Sequence, residues 1–588
     1  MGEEKKMTAK QKFFEEIPLF ISRSLVSTEV NKTGSWRFVC PEYDEKTAPC
    51  SAACPAGEDI PRIEMLVARG MFREAYETIL NENPFPGVCG RVCFHPCEGS
   101  CNREGFDQSV GIHHLERFVG DMAIQEGYLV PRRSRPGMSS GGGRIAIAGA
   151  GPAGLAAAFF LTRLKYRCDV FEAETEPGGV LRWGIPSYRL PDDVLKKEID
   201  RIVSLGVNIY CKKPVTQNFL EEIKGRYDAV FIGCGYGRSI QMNIPGEAMA
   251  DDGLEFLCNI RKGKAVSACG VAAVIGGGNT AIDVARSLVR LGSKPVLAYR
   301  RRREDMPAFG HELEMALKEG VELKELIAPI RMKAERGNIA LHLQKMKLAG
   351  SGKDGRARVV PDGKKTVTMK VQQVFTAIGA EPGENWYVPP KKQDNILSLS
   401  HCTLMDEEMP MVFGGDLTNP VKSVADAIAS GKEAAMALDT LFRKGRDAVE
   451  ERLASCRVGD SGSLSMEIYM EGDRKNRNPH IVSFDEINAD YFQPAERKTP
   501  RSLSPDESSR SFSETEQTFT KESATEESER CFNCGICNDC DNCRLFCPEL
   551  SVLIDNTRRI NLDYCKGCGI CVVECPRNAM SLEKEELR

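Results

Sequence analysis

Ten cysteines fall between Cys531 and Cys575, in the stretches CFNCGICNDCDNCRLFCP and CKGCGICVVECP, and seven more lie between Cys40 and Cys101. Only seven of the 24 are spread through the rest of the chain. Thiols bunched at two- and three-residue spacing suit metal ligation, whereas disulfide frameworks belong to small exported chains. Cys537, Cys540, Cys543 and Cys547-Pro548 fit C-x2-C-x2-C-x3-C-P, and Cys565, Cys568, Cys571 and Cys575-Pro576 fit it again. In such paired runs the fourth cysteine of each ligates the other [4Fe-4S] cluster. One cluster is therefore expected on Cys537, Cys540, Cys543 and Cys575, and the second on Cys565, Cys568, Cys571 and Cys547. Zinc is the alternative for thiolates at this spacing, against which stand two complete runs, each with its proline. Cys531 and Cys534 fall outside the register and read as spare thiols.

Two further stretches could bind nucleotides. RIAIAGAGPAGLAAAFFLTRLKYRCDVFEAE reads as strand, turn, helix and strand. Its Gly149, Gly151 and Gly154 form G-x-G-x-x-G, with Pro152 and Ala153 opening the helix. Such glycines allow a tight turn, close backbone approach to a pyrophosphate and close helix packing, and Glu172 ends the second strand where a ribose hydroxyl is accepted. VAAVIGGGNTAIDVARSLVRLGSKPVLAYRRRRED repeats the unit through Gly276, Gly278, Asn279, Thr280 and Ala281. Its second strand ends in Arg300, Arg301, Arg302 and Arg303 instead of an acid, which suits a 2′-phosphate and points to NADPH; a solvated basic loop is the bland alternative. A third signal, MVFGGDLTNPVKSVADAIASGKEAA, places Gly415 and Asp416 between a strand and a helix, where Asp416 can meet a flavin's ribityl chain.

Taken in order, GAGPAGLAAA, EPGGVLRWGIPSYRLP, IGGGNTAIDVAR, YRRRREDMPA, TAIGAEP and GGD resemble the small subunit of bacterial glutamate synthase. They are similar also to the N-terminal half of dihydropyrimidine dehydrogenase and to the large subunit of NADH-dependent ferredoxin:NADP oxidoreductase. The resemblance covers roughly residues 40–441. It implies FAD in the first fold, NADPH or NADH in a second fold nested within it, and two N-terminal [4Fe-4S] clusters. Gly179, Arg182 and Ile185, in and before the RWGIP segment, are the candidates for flavin contact. By motif position, Cys54, Cys93 and Cys97 look like ligands of one cluster, with Glu116 where the family has a non-cysteine fourth ligand. The other would use Cys40, Cys50 and Cys101. Relatives have C-x2-C where this chain has only Cys40, so that cluster lacks an obvious fourth ligand. Cys89 matches a position that does not usually ligate but could be recruited, and His95, His113 and His114 read as structural. The cysteine-rich tail resembles the longer relatives that serve as electron-input subunits, including the sulfite-reductase-associated flavoprotein of sulfur oxidisers.

The elements that must position these groups follow from the pattern. The 588 residues allow three or four domains. The fold class expected is α/β. Residues 1–140 form a helical iron–sulfur domain closed by PRRSRPGMSSGGG. Residues 141–266 and 372–448 form a split Rossmann-like FAD domain around a nested NAD(P)H domain, 267–371. A linker, 449–530, leads to an α+β bacterial ferredoxin domain, 531–588. Its last part, 501–530, is rich in Ser and Glu, with Phe512 and Phe519 as candidate anchors. A net charge of -5 gives no support for nucleic acid as a partner. No apolar run approaches spanning length and the N-terminus lacks a secretory core, so membrane insertion is not expected and a cytoplasmic location is. Lys6 stands where a myristoylation site wants Ser or Thr.

Nicotinamide gives up two electrons as hydride, a [4Fe-4S] cluster accepts one at a time, and flavin converts between them. The expected function is an NAD(P)H oxidoreductase in which FAD and clusters serve a redox partner docking at the ferredoxin domain. Hydride passage needs stacking, so no catalytic acid, base or nucleophile is assigned. Alternatives are an input module for a substrate-reducing large subunit, as in glutamate synthase, a bifurcating transhydrogenase subunit, and a cluster-carrying scaffold.

Overall fold

The computed structural model describes residues 32–131, 142–268, 270–351, 357–389, 395–472, 474, 478–554 and 558–585. The myristoylation position and most of the 131–143 loop lie outside them. The chain divides into two compact units. The larger comprises Glu45–Asn538 and Pro576–Asn578; the smaller comprises the residues up to Asp44, Asp539–Cys575 and those from Ala579 onward.

In the larger unit the strand Arg144–Ala148 is apolar and buried beyond its first residue, the mark of a parallel strand covered on both faces. It lies within a seven-stranded sheet ordered 396–398, 403–405, 411–413, 229–232, 144–148, 167–171, 208–210. From Met411–Phe413 across to Asn208–Tyr210 the pairing is parallel. After Ala229–Ile232 the chain leaves to build a second sheet, ordered 322–324, 294–298, 271–275, 373–376, 251–252 and parallel throughout. Three antiparallel strands, Ile327–Glu335, Asn338–Ser351 and Ala357–Val371, are inserted before Gln373–Thr376. One nucleotide fold is thus nested in another.

The helix Val424–Lys444 crosses the helix Pro152–Arg163 closely, because a Cβ at Gly431 would stand 2.4 Å from the Ala153 carbonyl oxygen. This contact brings Gly415 and Asp416 beside the first glycine turn. Below it Lys432, fully buried, pairs with Glu82 at 2.7 Å and donates to the Ala56 carbonyl. Glu82 also accepts from the Met466 amide at 2.8 Å and lies 3.3 Å from Arg474. Breaking a buried pair costs about 3–5 kcal/mol where the remaining charge is uncompensated, and Arg474 beside Glu82 sets the loss at the lower end of that range or below it. Lys432→Met is accordingly expected to lower the chemical-denaturation midpoint of the larger unit, whereas Lys365→Met, at an exposed pair with Asp362, should barely change it.

The 449–530 stretch is packed, contrary to the linker expected there. Val449, Leu453, Met466, Tyr469, Val482, Phe519 and Ala524 all join the main core. Its later part straps the second nucleotide fold: Ser508 Oγ donates to Glu319, Arg290 Nε donates to the Ser511 carbonyl, and the Phe512 ring meets Tyr188 at 6.1 Å. Its polar composition reflects a surface strap that buries a few apolar residues, Phe519 and Ala524 among them.

In the smaller unit the strand Val39–Tyr43 pairs antiparallel with Met580–Lys584, Cys40 opposite Glu583. A hairpin, Val552–Ile554 with Arg558–Ile560, and two short helices, Asn542–Leu545 and Ile570–Val573, complete it.

Candidate flavin, nucleotide and iron–sulfur sites

The first glycine turn is shaped by backbone proximity. Gly149 adopts φ +97°, and a Cβ there would stand 2.7 Å from the Gly233 carbonyl oxygen. At Gly154 a Cβ would stand 2.0 Å from the Gly149 carbonyl oxygen, so helix and strand meet only over glycine. Gly151 differs: its Cβ would meet only the Gly179 Cα, at 4.0 Å. The space beside Gly151 is therefore open, and it lies at the N-cap of a helix whose first residue is Pro152. Glu172 is buried, its carboxylate accepting from the Ala150 and Glu174 amides at 2.8 and 2.9 Å. Burial pushes the Asp416 carboxyl up, against the lowering effect of Lys422. Arg182 does not face outward: its guanidinium donates to the Pro177 carbonyl and pairs with Glu176 at 3.0 Å. It holds the turn that presents half-exposed Val180. Ile185 packs against the core.

The second turn repeats this arrangement. A Cβ at Gly276 would stand 2.2 Å from the Ala377 carbonyl oxygen and 3.2 Å from the Cβ of buried Ala281, whereas at Gly278 it would meet only Pro307, at 4.0 Å. Gly278 caps the helix Asn279–Arg290, Asn279 Oδ1 accepts from the Phe309 amide at 2.9 Å, and Thr280 lies on the first helical turn. Of the four arginines, Arg302 is engaged by Glu304 and Asp305. Arg300 is exposed and Arg301 half-buried. The Arg189–Asp283 pair, 2.9 Å and buried, joins the two nucleotide folds. The geometry of both cradles is compatible with a dinucleotide, since at the second glycine of each an added Cβ would have its nearest neighbour at 4.0 Å.

In the smaller unit, Cys547, Cys565, Cys568 and Cys571 line one cavity together with Pro41, Pro548 and Ile570. Burial pushes the Cys571 thiol up to about 12, with further increments from Cys565, Cys547, Cys543 and Cys568. Cys543 lies in electrostatic reach of Cys540 and Cys575. Cys547 thus shares a cavity with cysteines of the second run, and Cys575 lies in electrostatic reach of Cys543 of the first. Backbone amides of Ser551, Gly567 and Ala579 donate to the sulfurs of Cys547, Cys565 and Cys575 at 3.3–3.4 Å. Cys537 lies on the segment that belongs to the larger unit. Cys40, expected with Cys50 and Cys101, is on the strand of the smaller unit, and Cys565 is among the groups raising its pKa. Its neighbours are set by strand pairing with 580–584, which no local pattern announces.

In the larger unit Cys54, Cys93 and Cys97 stand within electrostatic reach of one another, and Glu116 of both Cys93 and Cys54. Burial pushes Cys54 up to about 12 and raises Glu116, whose carboxyl accepts from Asn83 Nδ2 at 2.8 Å. Buried Cys89 also faces Glu116 and Cys93. His113 Nδ1, in the first turn of the helix Ile112–Gln125, meets Glu98 at 2.6 Å, and His95 Nε2 meets the Cys89 carbonyl at 3.2 Å. Cys50 and Cys101, on the short helix Pro49–Ala53 and just before the turn Asn102–Gly105, face Cys531 and Cys534. These two are the functional candidates that reading the runs alone leaves out.

Two glycine cradles over parallel sheets, with thiol sets in both units, define an iron–sulfur flavoprotein of the pyridine-nucleotide oxidoreductase class. Family profiles agree: dihydropyrimidine dehydrogenase domain II, 4Fe-4S cluster, over residues 39–128; pyridine nucleotide-disulphide oxidoreductase over 143–430; and 4Fe-4S binding domain over 558–581. The chain is 36% identical over 438 residues to the NADP(+)-dependent formate dehydrogenase subunit beta of Moorella thermoacetica, covering 69% of this chain and 62% of that one. It is 30% identical to the NADPH-Fe(3+) oxidoreductase subunit beta of Geobacter sulfurreducens, over 84% of this chain and 75% of that one. With the NAD-dependent dihydropyrimidine dehydrogenase subunit PreT of Escherichia coli it shares 32% identity over 66% of this chain and 90% of that one. The chain belongs to the family of iron–sulfur, pyridine-nucleotide-dependent oxidoreductase subunits that includes these relatives. Among the described residues no helix is long and apolar enough to cross a membrane.

Proposed function

We propose that this chain moves electrons between NAD(P)H and a protein partner through FAD and [4Fe-4S] clusters, as one subunit of a larger cytoplasmic redox system. The observation that carries this is the pairing, within one chain, of two nucleotide cradles with thiol sets in both units. When bound, flavin supplies the conversion between a two-electron and a one-electron carrier. The protein's own share is positional. Gly151 and Gly278 leave room for the two pyrophosphates, Glu172 and Asp416 stand at the ribose and ribityl positions, and the two C-x2-C-x2-C-x3-C-P runs hold a cluster pair. Exposed Leu545, Phe546, Leu550 and Val573 give the smaller unit an apolar surface suited to a docking protein. The relatives named as subunits beta support a multi-subunit setting.

Anaerobically purified protein is expected to hold one FAD and about 16 iron atoms, from four clusters of four. NADPH should bleach its flavin band. A protein containing zinc in place of iron, or no flavin, would sink the reading.

Arg300 and Arg301 are assigned to the 2′-phosphate of NADPH. Charge-assisted contacts are worth roughly 1.5–3 kcal/mol each, or on the order of 10- to 100-fold. Arg300→Ala with Arg301→Ala should therefore raise the KM for NADPH by at least that factor and leave that for NADH nearly unchanged. An equal effect on both coenzymes would make them plain surface residues.

A further inference from the structure

We infer that Cys50, Cys101, Cys531 and Cys534 together hold one [4Fe-4S] cluster, so that the N-terminal domain takes two of its ligands from the chain just before the ferredoxin runs. This rests on the iron–sulfur reading above and goes beyond it, since the N-terminal cysteines alone leave that site short of ligands.

The juxtaposition is reciprocal. Burial raises the Cys50 thiol, and the next contributions come from Cys101, Cys531 and Cys534. Cys531 feels Cys534 and Cys101, and Cys534 feels Cys101. Direct contacts fix the approach. Asn102, next to Cys101, donates from Nδ2 to the Cys534 sulfur at 3.5 Å. The Asn533 amide donates to the Cys531 sulfur at 3.4 Å, and Asn533 Nδ2 donates to the Pro61 carbonyl at 2.9 Å. Arg103 Nη1 donates to the Arg530 carbonyl at 2.7 Å, and Ser528 Oγ to Glu64 at 3.1 Å. Between the two cysteines Phe532 is driven into the core, its ring 5.7 Å from Phe106 and 4.4 Å from Phe492.

The chemistry of this set is that of a cluster site. The four thiols pack in or against the main apolar core, with buried Glu64 beside them. Two of them accept polar N–H groups, contacts that stabilise a bound thiolate and tune its cluster. A two-residue gap separates Cys531 from Cys534, the same C-x2-C spacing that Cys40 cannot supply. Cys97 of the neighbouring thiol set lies within electrostatic reach of Cys50, so the two N-terminal sites adjoin. The strap that covers the second nucleotide fold thus ends as the ligand arm of a cluster.

The test compares full-length, anaerobically purified variants by iron and FAD content and by the EPR spectrum of the reduced protein. Cys531→Ala with Cys534→Ala should lose about four iron atoms and one EPR signal, with FAD retained. Cys40→Ala should lose none. Cys534→Ser, which keeps size and offers an oxygen ligand, should shift one EPR signal with FAD unchanged, and it decides the matter if the double variant does not fold. Unchanged iron and spectra in the Cys531 and Cys534 variants, or loss of a cluster in Cys40→Ala, would overturn the assignment while leaving the iron–sulfur reading intact. A wild-type protein without iron would overturn both.

Discussion

A Gly278→Val enzyme should keep its flavin and iron yet lose reduction by NADPH, whereas Gly151→Val should lose the flavin itself. Both glycines cap helices in extended backbone, φ -93° and -78°, which valine adopts without strain. Their nearest protein neighbours to an added Cβ stand 4.0 Å away. An added Cβ at either position therefore meets no protein atom closer than 4.0 Å, and the branched side chain of valine is aimed at the space proposed for the ligand. This separates them from Gly154 and Gly276, where a Cβ would strike a backbone oxygen at 2.0 and 2.2 Å and a change would damage the fold first. Overpacking costs about 1–3 kcal/mol in a core, and a rigid pyrophosphate against a helix end should be no more tolerant. The expected loss is therefore on the order of 5- to 150-fold in affinity at each site. Rapid-mixing reduction by NADPH, flavin content after gel filtration and iron content give three independent readings. Gly278→Val with unaltered NADPH reduction would show that the second cradle does not hold the coenzyme. Flavin retained at full occupancy in Gly151→Val would do the same for the first.

The nucleotide folds were legible because their signals are local. A buried five-residue strand, glycines at fixed spacing and a helix beginning at Pro152 all lie within a few turns of chain, and the structure assembles them as one unit. The paired ferredoxin runs were legible for the same reason. What escaped was long-range. Cys40 was expected with Cys50 and Cys101 by motif position, and nothing local announces that it lies on a strand paired with 580–584. The 449–530 stretch looked like a linker by composition, because a strap buries few apolar residues and exposes many polar ones. Phe519 and Phe512 were the visible hint. The pairing of Cys531 and Cys534 with Cys50 and Cys101 spans more than four hundred residues, and no periodicity reports it. A ligand count could have found it, since one site lacked thiols and one C-x2-C pair had no site.

That geometry changes how the exit to the partner is best tested. Cutting the chain near Pro500 would remove Phe519 and Ala524 from the main core, together with Cys531 and Cys534. Any loss of activity would then have several causes. Cys565→Ala is narrower. Cys565 lies in the smaller unit, lines a cavity with Cys547, Cys568 and Cys571, and accepts from the Gly567 amide at 3.4 Å. Replacing it removes one thiolate from a four-thiolate site and none from the nucleotide cradles, all of which lie in the larger unit. NADPH oxidation with a small dye should therefore stay within about two-fold of wild type, since hydride passage needs only the stacked coenzymes. Electron delivery to the protein partner, isolated by anaerobic co-purification, should fall by on the order of 100-fold or more, because one-electron transfer to a docked protein depends on the cluster relay. The iron content should drop by about four atoms. A variant that lost its iron yet reduced its partner at the full rate would place docking on the larger unit, with the N-terminal thiol sites as the exit.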